Sequence, residues 1–79
     1  MKAKIKVTLK SGVLDPQGKA IEGALGSLGF AVIEHVRQGK YFEIDLAEKD
    51  RARALASVKS MCDRLIANTV IENYDIEIA

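Results

Sequence analysis

Seventy-nine residues suffice for a single domain, 1–79, and a domain this short buries barely over half of its unfolded surface. Twelve basic against eleven acidic residues leave a formal net charge of +1, too balanced for electrostatic capture by a nucleic-acid backbone or an anionic membrane. One cysteine, Cys62, and one histidine, His35, exclude an intrachain disulfide and a Cys/His metal site of usual spacing, which leaves oligomerisation as the route to added stability.

The opening run Met1-Lys2-Ala3-Lys4-Ile5-Lys6 never offers the continuous apolar stretch of a signal peptide or membrane span, so a cytoplasmic location is expected. From Lys4 to Lys10 the alternation predicts a strand with Ile5, Val7 and Leu9 on one face and lysines on the other. Asp15-Pro16 then supplies a helix start, Asp as cap and Pro at the first helical position, for a helix over Pro16–Leu28. Ile21, Ala24, Leu25 and Leu28 form its apolar stripe, and Gly29 closes it so that Phe30 can fold back on that stripe.

Phe30–Arg37 and Lys40–Leu46 read as two strands joined by a tight hairpin at Gln38-Gly39. That pairing puts Ala31, Ile33 and His35 on the core face with Phe42, Ile44 and Leu46. Val32, Glu34, Val36, Tyr41, Glu43 and Asp45 take the other face, where carboxylates meet the first strand's lysines if the strands are neighbours. A second helix is expected within Ala47–Ala67, with Ala54, Leu55, Val58, Met61, Cys62, Leu65 and Ile66 as its stripe, and a last strand over Tyr74–Ile78. The β-α-β-β-α-β order predicts an α+β fold: a two-layer sandwich of a four-stranded antiparallel sheet with two helices on one face.

Catalytic chemistry is sparse. His35, between Ile33 and Phe42 on the expected core face, reads as a structural histidine rather than a general base, and Cys62 on a helical stripe reads as packing rather than nucleophile. Gly23, Gly26 and Gly29 lie within and after a helix, not in the strand-to-helix loop that phosphate-binding glycines occupy. Tyr41 and Phe42 are adjacent and point oppositely, unlike the same-face aromatics of RNA-binding sheets. Val13 and Leu14, apolar residues in a connector made rigid by Asp15-Pro16, suggest a contact surface.

The run Leu9-Lys10-Ser11-Gly12-Val13-Leu14-Asp15-Pro16-Gln17-Gly18-Lys19-Ala20-Ile21, with Leu28-Gly29-Phe30 and Val36-Arg37-Gln38-Gly39-Lys40, closely resembles the PurS family. The likeness continues through Met61–Asn68 and Val70–Tyr74; Thr69 stands where the family pattern usually has proline. PurS is the small subunit of phosphoribosylformylglycinamidine (FGAM) synthase, a purine-biosynthesis ligase. The whole synthase converts formylglycinamide ribonucleotide, glutamine and ATP to the amidine, glutamate, ADP and phosphate.

The resemblance implies an oligomeric assembly subunit, a homodimer or larger, with no catalytic, cofactor or metal residues of its own. It would bring together a PurQ-like glutaminase and a PurL-like synthetase, ATP and magnesium belonging to the latter. The docking candidates are Lys10, Gly12, Val13, Leu14, Asp15, Pro16 and Gln17 in the first loop, with Arg37, Gly39 and Lys40 at the hairpin. A small-molecule regulatory domain of the same topology is the alternative, and it and a nucleic-acid binder using the lysine face both rank far below the assembly role.

Overall fold

The computed structural model describes all 79 residues, Met1–Ala79. The elements in chain order are β1 (Lys2–Leu9), α1 (Pro16–Ser27), β2 (Gly39–Asp45), α2 (Arg51–Met61), a π-helical turn (Cys62–Ile66) and β3 (Glu72–Ile78). The three strands form one antiparallel sheet in the order β2-β1-β3. No helix is long and apolar enough to cross a membrane.

The register shows why β1 is central. Ile5 lies opposite Phe42 and Ile76, and Ala3 opposite Ile44 and Ile78, so one face is apolar across all three strands. On the other face Lys4 lies between Glu43 and Glu77, and Lys6 between Tyr41 and Asp75. The expected pairing of strand-one lysines with a neighbour's carboxylates is therefore present, Lys2 Nζ lying 3.3 Å from Glu43 Oε1. Both groups are nearly half exposed, so such pairs bias register more than they stabilise.

α2 starts where Asp50 accepts a hydrogen bond from Ala52 N at 2.9 Å, while the Glu48 carboxylate accepts from the Lys49 and Asp50 amides. Ala54, Val58 and Cys62, each four residues on, are fully buried against Ala3, Ile5 and Val7. The expected stripe was wider. Leu55, Met61 and Leu65 are exposed, because no second helix lies beside α2 to cover its flank.

Two expectations are corrected. The sheet has three strands, not four: Phe30–Gln38 forms no ladder, and Gly39 lacks the positive φ that a type I′ turn requires. Gly39 is instead the first residue of β2, where a Cβ would lie 2.5 Å from Val7 O, so glycine serves close strand approach rather than a turn. Nor do both helices cover the sheet. α1 projects from it with Phe30–Gln38 returning alongside, giving extents of 48 × 24 × 14 Å.

The Cα radius of gyration of 16.0 Å exceeds the roughly 12 Å expected of a compact chain of this length. Ile21 and Leu28 stay 42% and 74% exposed. Gly29, at φ 96°, does close α1, with Phe30 N donating to Leu25 O at 3.1 Å, yet Phe30 itself is half exposed. Ala31 and His35 are likewise solvent-facing rather than in the core, and Ile33 is only half-buried.

The facing of β1 is testable by paired substitution. Ile5→Ala should cost about 2–5 kcal/mol in urea denaturation, against about 0.5 kcal/mol or less for Lys6→Ala on the opposite face. Equal losses would show the strand to be wrongly faced.

Candidate functional site

The predicted docking residues gather where β1 ends and β2 and β3 begin. The Asp15 side chain, 5% exposed, joins them. Its Oδ1 accepts from Gly18 N at 2.9 Å, the N-cap read from the sequence, while its Oδ2 accepts from Gln38 N at 2.7 Å. One turn and more further along α1, Glu22 Oε1 accepts from Val36 N at 3.1 Å and lies 3.5 Å from His35 Nδ1. Asp15 and Glu22 are seven positions apart and so share a side of the helix. Together they tie the returning segment down to α1.

The electrostatics follow from these bonds. The backbone amide of Gln38, then that of Gly18, holds the Asp15 carboxyl below its ordinary pKa against the opposing effect of burial, with help from Arg37 and His35. Glu22 is lowered chiefly by the Val36 amide, with Lys19 assisting. Gly18 is required by the same junction: a Cβ there would collide with the Asp15 carboxylate and lie 2.7 Å from Val36 O.

Arg37 closes the first loop from outside. Its guanidinium donates to Val13 O at 3.1 Å, to Lys10 O at 3.2 Å and to Leu9 O at 3.5 Å. Lys40, opposite Val7 on the apolar face, pairs with Glu72 Oε2 at 3.3 Å, and Gln38 Nε2 donates to Gln17 Oε1. A cleft of about 360 Å³ opens between Val7, Leu9, Asp15, Pro16, Gln17, Gln38, Gly39, Lys40 and Glu72.

Of the predicted residues, Lys10, Val13, Asp15 and Arg37 are thus interlocked, and Gly12 turns the loop at φ 85°. Leu14, at 74% exposure, points outward, with Pro16 and Gln17 also exposed.

The cleft offers little for bond-making. Both Asp15 oxygens are engaged, Lys40 and Glu72 neutralise each other, and neither His35 nor Cys62 lines it. Cys62 is fully buried in the core, where burial and then Asp63 push its thiol pKa up, away from nucleophilic use. No group of three or more His, Cys, Asp or Glu side chains is placed to hold a metal ion. The geometry is that of a rigid, directional surface.

Sequence reasoning missed the second half of the Asp15 clasp, the Glu22 bond, and the apolar side chains of Leu65 and Val70, exposed at 87% and 81%. The seven-residue spacing of Asp15 and Glu22 was the available signal for the first two. Leu65 carried none, because it sits on the helical stripe that normally marks burial.

Comparison with known proteins places this geometry. Residues 2–79 match the family model PurS, phosphoribosylformylglycinamidine (FGAM) synthase. The chain is 49% identical over 75 residues to the PurS subunit of that synthase from Synechocystis sp., covering 95% of this chain and 75% of the relative. It is 47% identical over 77 residues to the Bacillus subtilis subunit, covering 98% and 90%. Among solved structures, PurLQS from Thermotoga maritima superimposes with a TM-score of 0.88 at 30% identity, covering 96% of this chain and 93% of the matched chain.

The clasp can be tested without any partner. Because both carboxyls are lowered in the fold, their contribution is present above the ordinary values of 3.8 and 4.5. It is lost as pH falls through the still lower folded values. The protection factors of the Val36 and Gln38 amides, observed exchange corrected for the intrinsic rate at each pH, should therefore fall on acidification below about pH 4. Asp15→Asn should remove most of the Gln38 protection at neutral pH, and unchanged protection would overturn the clasp.

Proposed function

The chain belongs to the PurS family, and we propose that it is the small, non-catalytic assembly subunit of FGAM synthase, holding the glutaminase and synthetase subunits together. The observation that carries this reading is the match over nearly the whole chain, in sequence and fold, to a chain of the T. maritima PurLQS structure. The complex joins nitrogen from glutamine to formylglycinamide ribonucleotide at the expense of ATP, with ATP and magnesium held by the synthetase. Ammonia released in one subunit and used in another is lost to water unless the two active sites are kept aligned, and an interlocked loop surface suits that task. Such a subunit works in the cytoplasm with its partners.

The fold supports self-association as well. α2 packs on β1 and β3, leaving Phe42 and Ile44 of the outer strand β2, and Leu46 just after it, only half-buried. The stripe of α1 that would cover them, Ile21, Leu25 and Leu28, is held away by the Asp15 and Glu22 bonds. Two complementary apolar surfaces that one chain cannot bring together are joined when a second copy lends its α1, the exchange that makes dimers cheaply. The arm formed by α1 and the returning Phe30–Gln38 segment is then an exchanged element and the homodimer the smallest complete unit.

Docking to the other subunits is assigned to the Lys10–Gln17 loop and to Arg37, Gly39 and Lys40. Leu14 is its most exposed apolar member. Arg37 serves indirectly, by holding the loop carbonyls.

Purified glutaminase and synthetase should form the amidine from glutamine, and a larger complex by light scattering, only when this chain is present. No change in either would overturn the assembly reading. Ile21→Asp with Leu28→Asp should lower the mass of the isolated chain to that of a monomer, whereas an unaltered mass would place self-association elsewhere.

A further inference from the structure

Leu65 and Val70 present 87% and 81% of their surface to solvent, and among the large apolar side chains only Val32, out on the arm, is as exposed. They are not carried on loose chain. Leu65 sits in the π-helical turn, and the turn bearing Val70 is closed around Asn68. Asn68 Oδ1 accepts from Val70 N at 3.2 Å, its carbonyl accepts from Ile71 N and Glu72 N at 3.0 and 2.7 Å, and its own amide donates to Glu72 Oε1 at 2.6 Å. Lys10 N donates to Ile71 O at 2.8 Å, making this turn continuous with the loop that exposes Leu14. A turn this fully hydrogen-bonded has given up its conformational freedom while burying little of Val70, which is how a rigid apolar anchor is presented.

The surrounding charges indicate the partner. Lys10, Arg37 and Arg64 make no ion pair, whereas the carboxylates nearby are engaged: Asp63 accepts from Tyr74 Oη at 2.6 Å, and Glu72 pairs with Lys40. A second copy is a poor occupant, since a two-fold contact would set this patch of unpaired cations against an identical patch.

We propose that this end of the sheet docks a different protein, one offering an apolar centre with carboxylates on its rim. Leu14, Leu65 and Val70 are the anchors, and Lys10 and Arg64 the charge contacts. The proposal rests on the assembly reading and adds the Leu65–Val70 side of the surface to it.

The test uses the full chain with each purified partner subunit. Leu65→Asp combined with Val70→Asp should weaken binding to one of them at least tenfold, with Ser57→Asp, a carboxylate placed away from this patch on α2, as the neutral control. The isolated variant should keep its mass and circular dichroism, and Arg64→Glu should weaken binding and flatten its salt dependence. If the aspartates unfold the chain, Leu65→Ser with Val70→Ser carries the same expectation.

Wild-type affinity for both subunits in the double variant would overturn the proposal alone. A fall in the mass of the isolated variant would overturn it in favour of a second copy. Failure of the unmodified chain to bind either subunit would overturn both the proposal and the assembly reading.

Discussion

The Asp15 carboxylate decides the shape of this molecule. With one oxygen it caps α1 through Gly18 N, and with the other it holds Gln38 N, so helix start and segment end meet at one buried group. A cap alone would have left Phe30–Gln38 free to turn back on Gly39 as a hairpin. Once Gln38 N is taken by Asp15 and Val36 N by Glu22, those amides are no longer available to a strand ladder. The missing fourth strand and the projecting helix are therefore two consequences of the same pair of carboxylates, and Gly18 is the residue without which neither could form.

Below that junction the structure is more ordinary. A central strand carrying Ala3, Ile5 and Val7 on one face is sealed by Ala54, Val58 and Cys62 from a single helix. Its other face puts lysines between two acidic strands, an arrangement that would place like charges opposite one another if the strand order changed. Apolar burial supplies the free energy, and the charge pattern restricts which register and order can use it. Only ten of 79 residues are buried, so this core is thin even for its length, and much of the chain's apolar surface still faces water.

Local pattern carried a good deal of this. The alternations in β1 and β3, the Asp15-Pro16 helix start, the Gly29 stop and the Ala54/Val58/Cys62 stripe were all legible, because each depends on residues a few positions apart. The Phe30–Arg37 segment was not. Its β-branched and apolar composition suits a strand, and nothing within it reveals that its amides are claimed by side chains up to 23 residues away. The width of the α2 stripe failed for a related reason: periodicity reports which residues share a helix face, not how many neighbouring elements exist to cover it.

Those failures bear on function. A segment whose composition suits a strand, a helix whose stripe suits a core, and Leu65 and Val70 held rigid in water are each locally consistent with burial that the single chain does not provide. Native sequences depart from such consistency where function demands it. The largest departures here fall in two places, the arm and the sheet end, and the interior of the sheet is free of them. Folding and association are then linked, since any partner that binds only the folded chain adds to its stability by mass action. For the assembly role proposed for this subunit, that linkage is useful: contacts that complete its own apolar packing would also fix the geometry of the complex, and a chain outside the complex would be the less stable state.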